Sequence, residues 1–496
     1  MNFLAARCNS NTVPPRALKG SDVARERGSV VCRSMTKMEV SDVPRPIHRP
    51  RRVENFRLVR KLFSDPPVAL DEINAAHGPL CGLGAGPMQI AVVCDPTLIQ
   101  QLFATPIESF RWAHKFNVIG LRFVIGRTSM IISDGTDHDR RRAPAQPAFA
   151  RRRLNEWTPM IVDCADAAIN ELCADLPNDG GTVDMYPVGR RLILGITLRA
   201  FFGERFAARV DEIGDLYVRP QRFIEAPAVK QLPHPIPFTF RARVRADRRA
   251  IDRLIDDEIA LRRRKVVDAT SDVLDAYLSS DLSDAEIRDQ VRSLIGAGYD
   301  TTAASFAWLL LRAAGTNGVW ERLRAEADDV LGPIGQPCAT DPAATLTDLV
   351  FAGRVVREAL RLHPAGLLGV RMAAADVRLG DHVIRRGTLI AWSPYLAGRD
   401  PASWVEPLRF NPDRFADLTP EQKTLSDQAW VPFGRGPHSC IGFALAQMEL
   451  TLIVARLAQR VELAAGSGAL PRPLGMIVNR PEGGAHVRVS IRDAQR

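Results

Sequence analysis

A cysteine set in a glycine-rich loop at the mouth of a helix is the residue of this chain best suited to metal chemistry. The loop reads Phe433-Gly-Arg-Gly-Pro-His-Ser-Cys440-Ile-Gly442, and a helical run follows from near Ile441. Backbone N–H groups and the positive end of a helix dipole stabilise a thiolate, which predicts a lowered pKa for Cys440. A permanently metal-bound sulfur needs that. Gly436 and Gly442 let the backbone turn tightly and approach a flat macrocycle, while Phe433 can shield the sulfur from water. The plain alternative is a buried structural cysteine beside a loop. Four fixed positions, Phe, Gly, Cys and Gly, would match by chance on the order of 10⁻³ times in such a chain, which favours the metal ligand.

The second group is Gly296-Ala-Gly298-Tyr-Asp300-Thr301-Thr302, inside a helical run from Ala285 to Arg312. Each glycine in a helix interior costs about 1 kcal/mol, so two call for a reason. Small residues at Ala297 and Gly298 let the helix pass directly over a ligand face. The Thr301 hydroxyl can bond the Ala297 carbonyl, loosening the ladder where a small molecule could sit. Asp300 beside it offers a titratable group for proton delivery. A glycine-bearing helix packed on a neighbour is the competing explanation.

Together these segments resemble the cytochrome P-450 family, with the decapeptide as its haem-binding loop and His438 where many members carry Arg. The resemblance covers roughly residues 50 to 496 and implies haem b with Cys440 as axial thiolate, a ligand that favours O–O cleavage over oxygen storage. Asp300 and Thr301 resemble the family's acid–alcohol pair, which supplies the protons that split O₂. Ala297, Gly298, Phe433 and Gly442 are then cofactor contacts. Glu358-Ala-Leu-Arg361 has opposite charges three apart on one helical face, a weak signal alone. With Asn411-Pro-Asp-Arg414-Phe415 behind it, the resemblance implies a buried Glu358–Arg361–Arg414 network holding the loop. His138 and Arg142, four apart in Gly135-Thr-Asp-His138-Asp-Arg-Arg-Arg142, can both donate to carboxylates. With Arg371 and His438 they are the implied holders of the haem propionates. Many relatives carry Trp at His138 and His at Gly398.

The elements that must position these residues are mainly helical, with a minor β region. Apolar residues recur three and four apart over Met160–Leu172, Ala246–Arg264, Ala285–Arg312, Trp320–Leu331 and Ile441–Arg460. Val377-Arg-Leu, His382-Val-Ile and Gly387-Thr-Leu-Ile-Ala predict a small antiparallel meander, and His486-Val-Arg-Val-Ser-Ile a closing strand. No repeat, low-complexity linker or composition break interrupts the chain after about residue 50. One large domain of the cytochrome P-450 fold, residues 46–496, is expected.

Apolar residues at 46% and charged residues at 25% of the 496 describe an ordinary folded protein. The net charge of +9 would suit nucleic acid, were it not so uneven. Residues 1 to 61 hold fourteen Lys and Arg against five Asp and Glu, so residues 62 to 496 sum to zero. Residues 1–45 therefore read as a basic solvated tail or an overlong start, with Met35 and Met38 as alternative initiators. Asp22, Glu26 and Glu39 make a transit peptide the second choice. No apolar stretch predicts a membrane span, and the eight cysteines lack zinc or redox spacing, so a cytoplasmic protein is expected.

The resemblance implies a monooxygenase that takes electrons from a separate ferredoxin or flavodoxin with its NAD(P)H-dependent reductase, and inserts one oxygen atom of O₂ into a lipophilic molecule. Two other readings are a peroxide-driven peroxygenase or isomerase and a non-catalytic haem sensor, and Asp300 with Thr301 argues against both. Phe110–Ser133, Leu216–Phe240, Gly366–Val370 and Met476–Gly484 are the expected pocket walls, suited to a fatty acid, terpenoid or steroid. Arg140, Arg141, Arg142, Arg151, Arg152, Arg153 and Arg435 are expected to form a cationic patch for an acidic electron donor.

Overall fold

The computed structural model describes residues 45–86, 88–112, 119–226, 228–264, 272–331 and 342–492. The leader 1–44 and residues 113–118 and 227 of the expected pocket walls lie outside them. From Val43 onward the chain forms one unit.

Its axis is the helix Asp284–Ala314. Ser283 starts it through a capping box: its hydroxyl accepts from the Glu286 N–H while the Glu286 carboxylate accepts from the Ser283 N–H. Apolar residues occur all round this helix, which suits an element buried on every side rather than one with a wet face. Ile287, Val291, Ile295, Phe306, Trp308 and Leu310 are all buried. The helix Met185–Phe202 lies so close that a Cβ on Gly189 would sit 2.6 Å from the Phe306 ring. On another side comes Phe443–Arg460, the helix following Cys440. It packs on Arg151–Asp175, where Arg456 meets both Asp166 oxygens, Nε to Oδ1 at 2.7 Å.

The strands form small sheets at the edge. β1 (Leu80–Ala85), β2 (Met88–Val93), β3 (Phe110–Arg111), β5 (Gly369–Ala373) and β8 (Leu389–Trp392) make a sheet in the order β1-β2-β8-β5-β3. β4 (Gly181–Asp184), β9 (Val461–Ala465) and β12 (His486–Ile491) make another, with β12 central. β6 (Val377–Leu379) and β7 (His382–Ile384) form a hairpin, as do β10 (Pro473–Leu474) and β11 (Arg480–Pro481). The expected three-stranded meander is corrected here. Only β6 and β7 pair, while β8 leaves them to run parallel to β2 and antiparallel to β5. Its buried Ile390, Ala391 and Trp392 find apolar partners there that a two-strand ribbon could not give.

Candidate haem site

Cys440 is tied to its loop by its own N–H, which donates to the Phe433 carbonyl at 2.9 Å. Gly434 and Gly436 stand at φ 66 and 81, the left-handed turns that the loop requires. The thiol behaves differently from the expectation. Burial raises its pKa, and the Gly442 N–H and the Arg142 charge only partly oppose that. The helix proper starts at Phe443, so its dipole is a weaker partner for the sulfur than the loop itself. Cys440 nevertheless carries exposed surface. The residue thus offers surface while its thiol is crowded by protein.

The long helix presents its small residues in the same manner. Ala297 is exposed although Ile295, Tyr299 and Asp300 around it are buried. The Thr301 hydroxyl donates to the Ala297 carbonyl at 2.7 Å, as its spacing predicts, and Thr302 repeats the bond to Gly298 at 2.9 Å. Asp300 points elsewhere. It is buried against the Met185–Phe202 helix, where Tyr186 donates to its Oδ1 at 2.8 Å and the Arg190 Nε lies 3.0 Å from the same oxygen. Tyr299 accepts from Arg190 and donates to Gln221, both at 2.9 Å. None of these partners was visible in sequence, because Tyr186 and Asp300 are 114 positions apart.

Four nitrogen-bearing side chains converge beside the loop. The His438 ring lies between Trp112, at 3.6 Å between centroids, and His138, at 3.8 Å. Burial and the charges of His138, Arg142 and Arg371 press its pKa down to about 3. Arg371 comes from β5, is 5% exposed and stands over Phe110 and Trp112. Its Nε is buried without a hydrogen-bond partner, and burial lowers its pKa to about 10. Arg142 likewise has no carboxylate partner among the described residues, and burial lowers its pKa too. Two poorly solvated guanidiniums with no counter-charge ask for anionic groups. Haem propionates supply that charge, so the residues present fit haem. Trp112 is an aromatic contact that the sequence analysis missed, since an isolated tryptophan carries no positional signal.

Glu358, Arg361 and Arg414 come together as expected. Glu358 accepts from Arg361 through both oxygens, at 2.7 and 2.8 Å, and from Arg414 at 2.9 Å. Arg361 also donates to the carbonyls of Gly398 and Pro407. A Cβ at Gly398 would lie 2.2 Å from the Arg361 carbonyl oxygen, so this backbone admits only glycine there.

The arginine patch needs correction. Arg140 pairs with Glu286 and Asp281, and buried Arg141 bonds Ser133 and Glu286, so both are spent on anchoring the start of the long helix. Arg152 and Arg153 share Glu156, and Arg435 donates to the Asp427 carbonyl. Arg151 alone of the two triplets is exposed with no ion pair among the described residues. A separate cleft of about 520 Å³ between Arg151–Asp175 and Met185–Phe202 has apolar walls that include Leu172, Val188 and Leu192. Its Arg199 is occupied by Glu204 and the Cys164 sulfur.

The cytochrome P450 family model matches residues 50–487. Putative cytochrome P450 139 of Mycobacterium tuberculosis is 32% identical over 400 residues, covering 78% of this chain and 88% of the relative. Cyclooctat-9-en-7-ol 5-monooxygenase of Streptomyces melanosporofaciens is 29% identical, covering 78% and 83%. Pentalenene oxygenase of Streptomyces avermitilis is 28% identical, covering 81% and 88%. Among solved structures, the cytochrome P450DA haem domain superposes with a TM-score of 0.78 at 23% identity, covering 91% of this chain and 98% of that one. Retinoic acid-bound cyanobacterial CYP120A1 gives 0.76 at 21%, covering 87% and 96%. This chain belongs to the cytochrome P450 family, and is a mainly helical monooxygenase whose cofactor is haem carried on a cysteine thiolate.

Proposed function

We propose that the protein hydroxylates or epoxidises an apolar, terpenoid-like molecule, with Cys440 as the iron ligand and with Asp300 and Thr301 as its proton-handling pair. When bound, haem supplies the activation of O₂. The chain supplies the rest. Arg142, Arg371, His138 and His438 hold the carboxylate edge of the macrocycle. Phe433 would keep water from the sulfur, and the small residues Ala297 and Gly298 would leave room for the group. Thr301 offers a hydroxyl whose hydrogen is shared with the Ala297 carbonyl and can swing to a ligand. Asp300 accepts a hydrogen bond from Tyr186 at Oδ1, and Arg190 keeps the carboxylate in place. The observation that carries this reading is the pairing of exposed Ala297 and half-buried Thr301 with buried, hydrogen-bonded Asp300 on the same helical turn. A proton relay of that kind has less use in a peroxide-driven enzyme or a gas sensor.

Relatives named for acting on cyclooctat-9-en-7-ol and pentalenene support a terpenoid class over a fatty acid or steroid. Electrons are proposed to come from a ferredoxin or flavodoxin and its NAD(P)H-dependent reductase, and the site of action to be the cytoplasm. Thr301→Ala should retain haem but uncouple the reaction, so that reductant is consumed and hydrogen peroxide accumulates in place of product. Unchanged coupling in that variant removes the assignment. Turnover of the wild type with peroxide but not with a reduced ferredoxin favours the peroxygenase.

A further inference from the structure

The Glu225 carboxylate accepts from three successive backbone N–H groups of the loop between β10 and β11. Met476 donates to Oε2 at 3.0 Å, while Ile477 and Val478 donate to Oε1 at 2.9 and 2.8 Å. Successive N–H groups turned to one point form a nest for an anion, and Gly475, at φ 95, gives the loop the turn this needs. A Cβ there would stand 2.4 Å from the Val478 carbonyl oxygen. Glu225 caps the carboxyl end of the helix Val210–Ile224. A negative charge at that end opposes the helix dipole, so its own helix does not favour the carboxylate and the nest must.

The two segments so joined are held with unequal firmness. The loop rests on a fixed base: Leu367 donates to the Met476 carbonyl at 3.0 Å, Asn479 to the carbonyls of Ala365 and Pro364 at 2.7 and 3.0 Å, and Trp308 to that of Asn479 at 2.8 Å. Trp308 follows Ala297 by about three turns of the long helix and Thr301 by about two, so the three share one stripe and the loop borders the face that carries them. The end of Val210–Ile224 is less secure. Pro220 lies inside this helix and has no N–H to give the Leu216 carbonyl, which breaks the ladder one turn before the end. What lies beyond is held from outside. Gln221 accepts from Tyr299 at 2.9 Å and donates to the Gly296 carbonyl, next to Ala297, at 3.4 Å, and Glu225 reaches the nest. Among the described residues no other hydrogen bond or ion pair joins residues 210–240 to residues 472–484. Both stretches contain expected pocket walls.

We propose that Glu225 is a positioning residue that sets the spacing of these two walls beside Ala297 and Thr301, and so decides how bulky a molecule reaches the haem site. The proposal rests on the haem reading of the Cys440 loop. Hydrogen bonds to a carboxylate are stronger than neutral ones, and their loss frees the turn beyond Pro220 while the base of the loop stays in place.

The test uses the haem-loaded full chain and two nitrogen ligands of haem iron, imidazole and the far bulkier clotrimazole, with association followed by the shift of the Soret band. Glu225→Gln keeps the shape but removes the charge and sets an NH₂ group against N–H donors. It should bind clotrimazole about tenfold faster than wild type, and imidazole within about twofold of the wild-type rate. A role in folding alone would not separate the two ligands by size. Gly475→Ala spoils the nest from the other side and should give the same size-selective change, and the double variant should add nothing, since both remove one tie. Glu225→Asp keeps the charge but is too short for all three donors, and should fall between wild type and Glu225→Gln. Unchanged clotrimazole rates in Glu225→Gln overturn the proposal, as does equal acceleration of both ligands or an additive double variant. Failure of the haem reading is a different result: a wild type without the thiolate carbon-monoxide band overturns both, whereas unchanged azole rates with that band intact overturn the role of Glu225 alone.

Discussion

Glu449 is a carboxyl group with no good place for a charge. It lies on the helix after Cys440, 2% exposed, with one oxygen lacking any hydrogen-bond partner, and burial raises its pKa to about 8. Its neighbour Thr302 opposes that rise only in part. At low pH the folded and unfolded chains both hold the proton. Above about 4.5 the unfolded chain releases it, whereas the folded chain keeps it until about 8. Stability is therefore lost as pH rises through that window, by something on the order of a few kcal/mol. Glu449→Gln should flatten this slope, read as denaturant midpoints at pH 5 and pH 8, and parallel curves for the two proteins would refute the neutral acid. Asp300 needs its own variant. Asp300→Asn should slow turnover while haem content stays at the wild-type level, and an unaffected rate would remove Asp300 from proton delivery. Cys440, Thr301 and Arg371 were legible in sequence because their type and order are tied to the cofactor. Tyr186, Arg190 and Trp112 were not, since each reaches the site through tertiary packing alone.

At the scale of elements, the helices were legible wherever burial is one-sided or complete over many turns, as in Asp284–Ala314. The sheet was less so. β1 and β2 pass through Gly82, Gly84 and buried apolar residues on both faces, which hides the two-residue alternation, and β8 is placed by a distant partner. Ion pairs and hydrogen bonds tie the helix Val350–Leu362 to the segment 398–414. Glu358 and Arg361 are both buried, so Glu358→Ala would strand two guanidiniums at a cost of about 3–5 kcal/mol. The expected outcome is a lower denaturation midpoint and poor haem retention, and wild-type values for both would show that the network is dispensable. Arg140 belongs to this class as well. Because it binds Glu286 in the capping box of the long helix, Arg140→Glu should cost stability, read as a lower denaturation midpoint, before it affects electron transfer.

For the molecule as a whole, the neutral body and the basic first 61 residues divide the electrostatics in two. Among the described residues fewer of the arginines of the two triplets are free of ion pairs than their number suggests, with exposed Arg151 foremost. Arg151→Glu should slow the first electron from an acidic ferredoxin, and added salt should slow the wild type at low ionic strength. A rate insensitive to both would place the donor elsewhere. All of these effects presuppose that Cys440 carries the iron as a thiolate. The most direct test is the absorption spectrum of the reduced, carbon-monoxide-bound protein. Wild type should show the strongly red-shifted Soret band that a thiolate ligand produces, and Cys440→His, still haem-loaded, should lose it. A wild type without that band, or a variant that keeps it, would contradict the account.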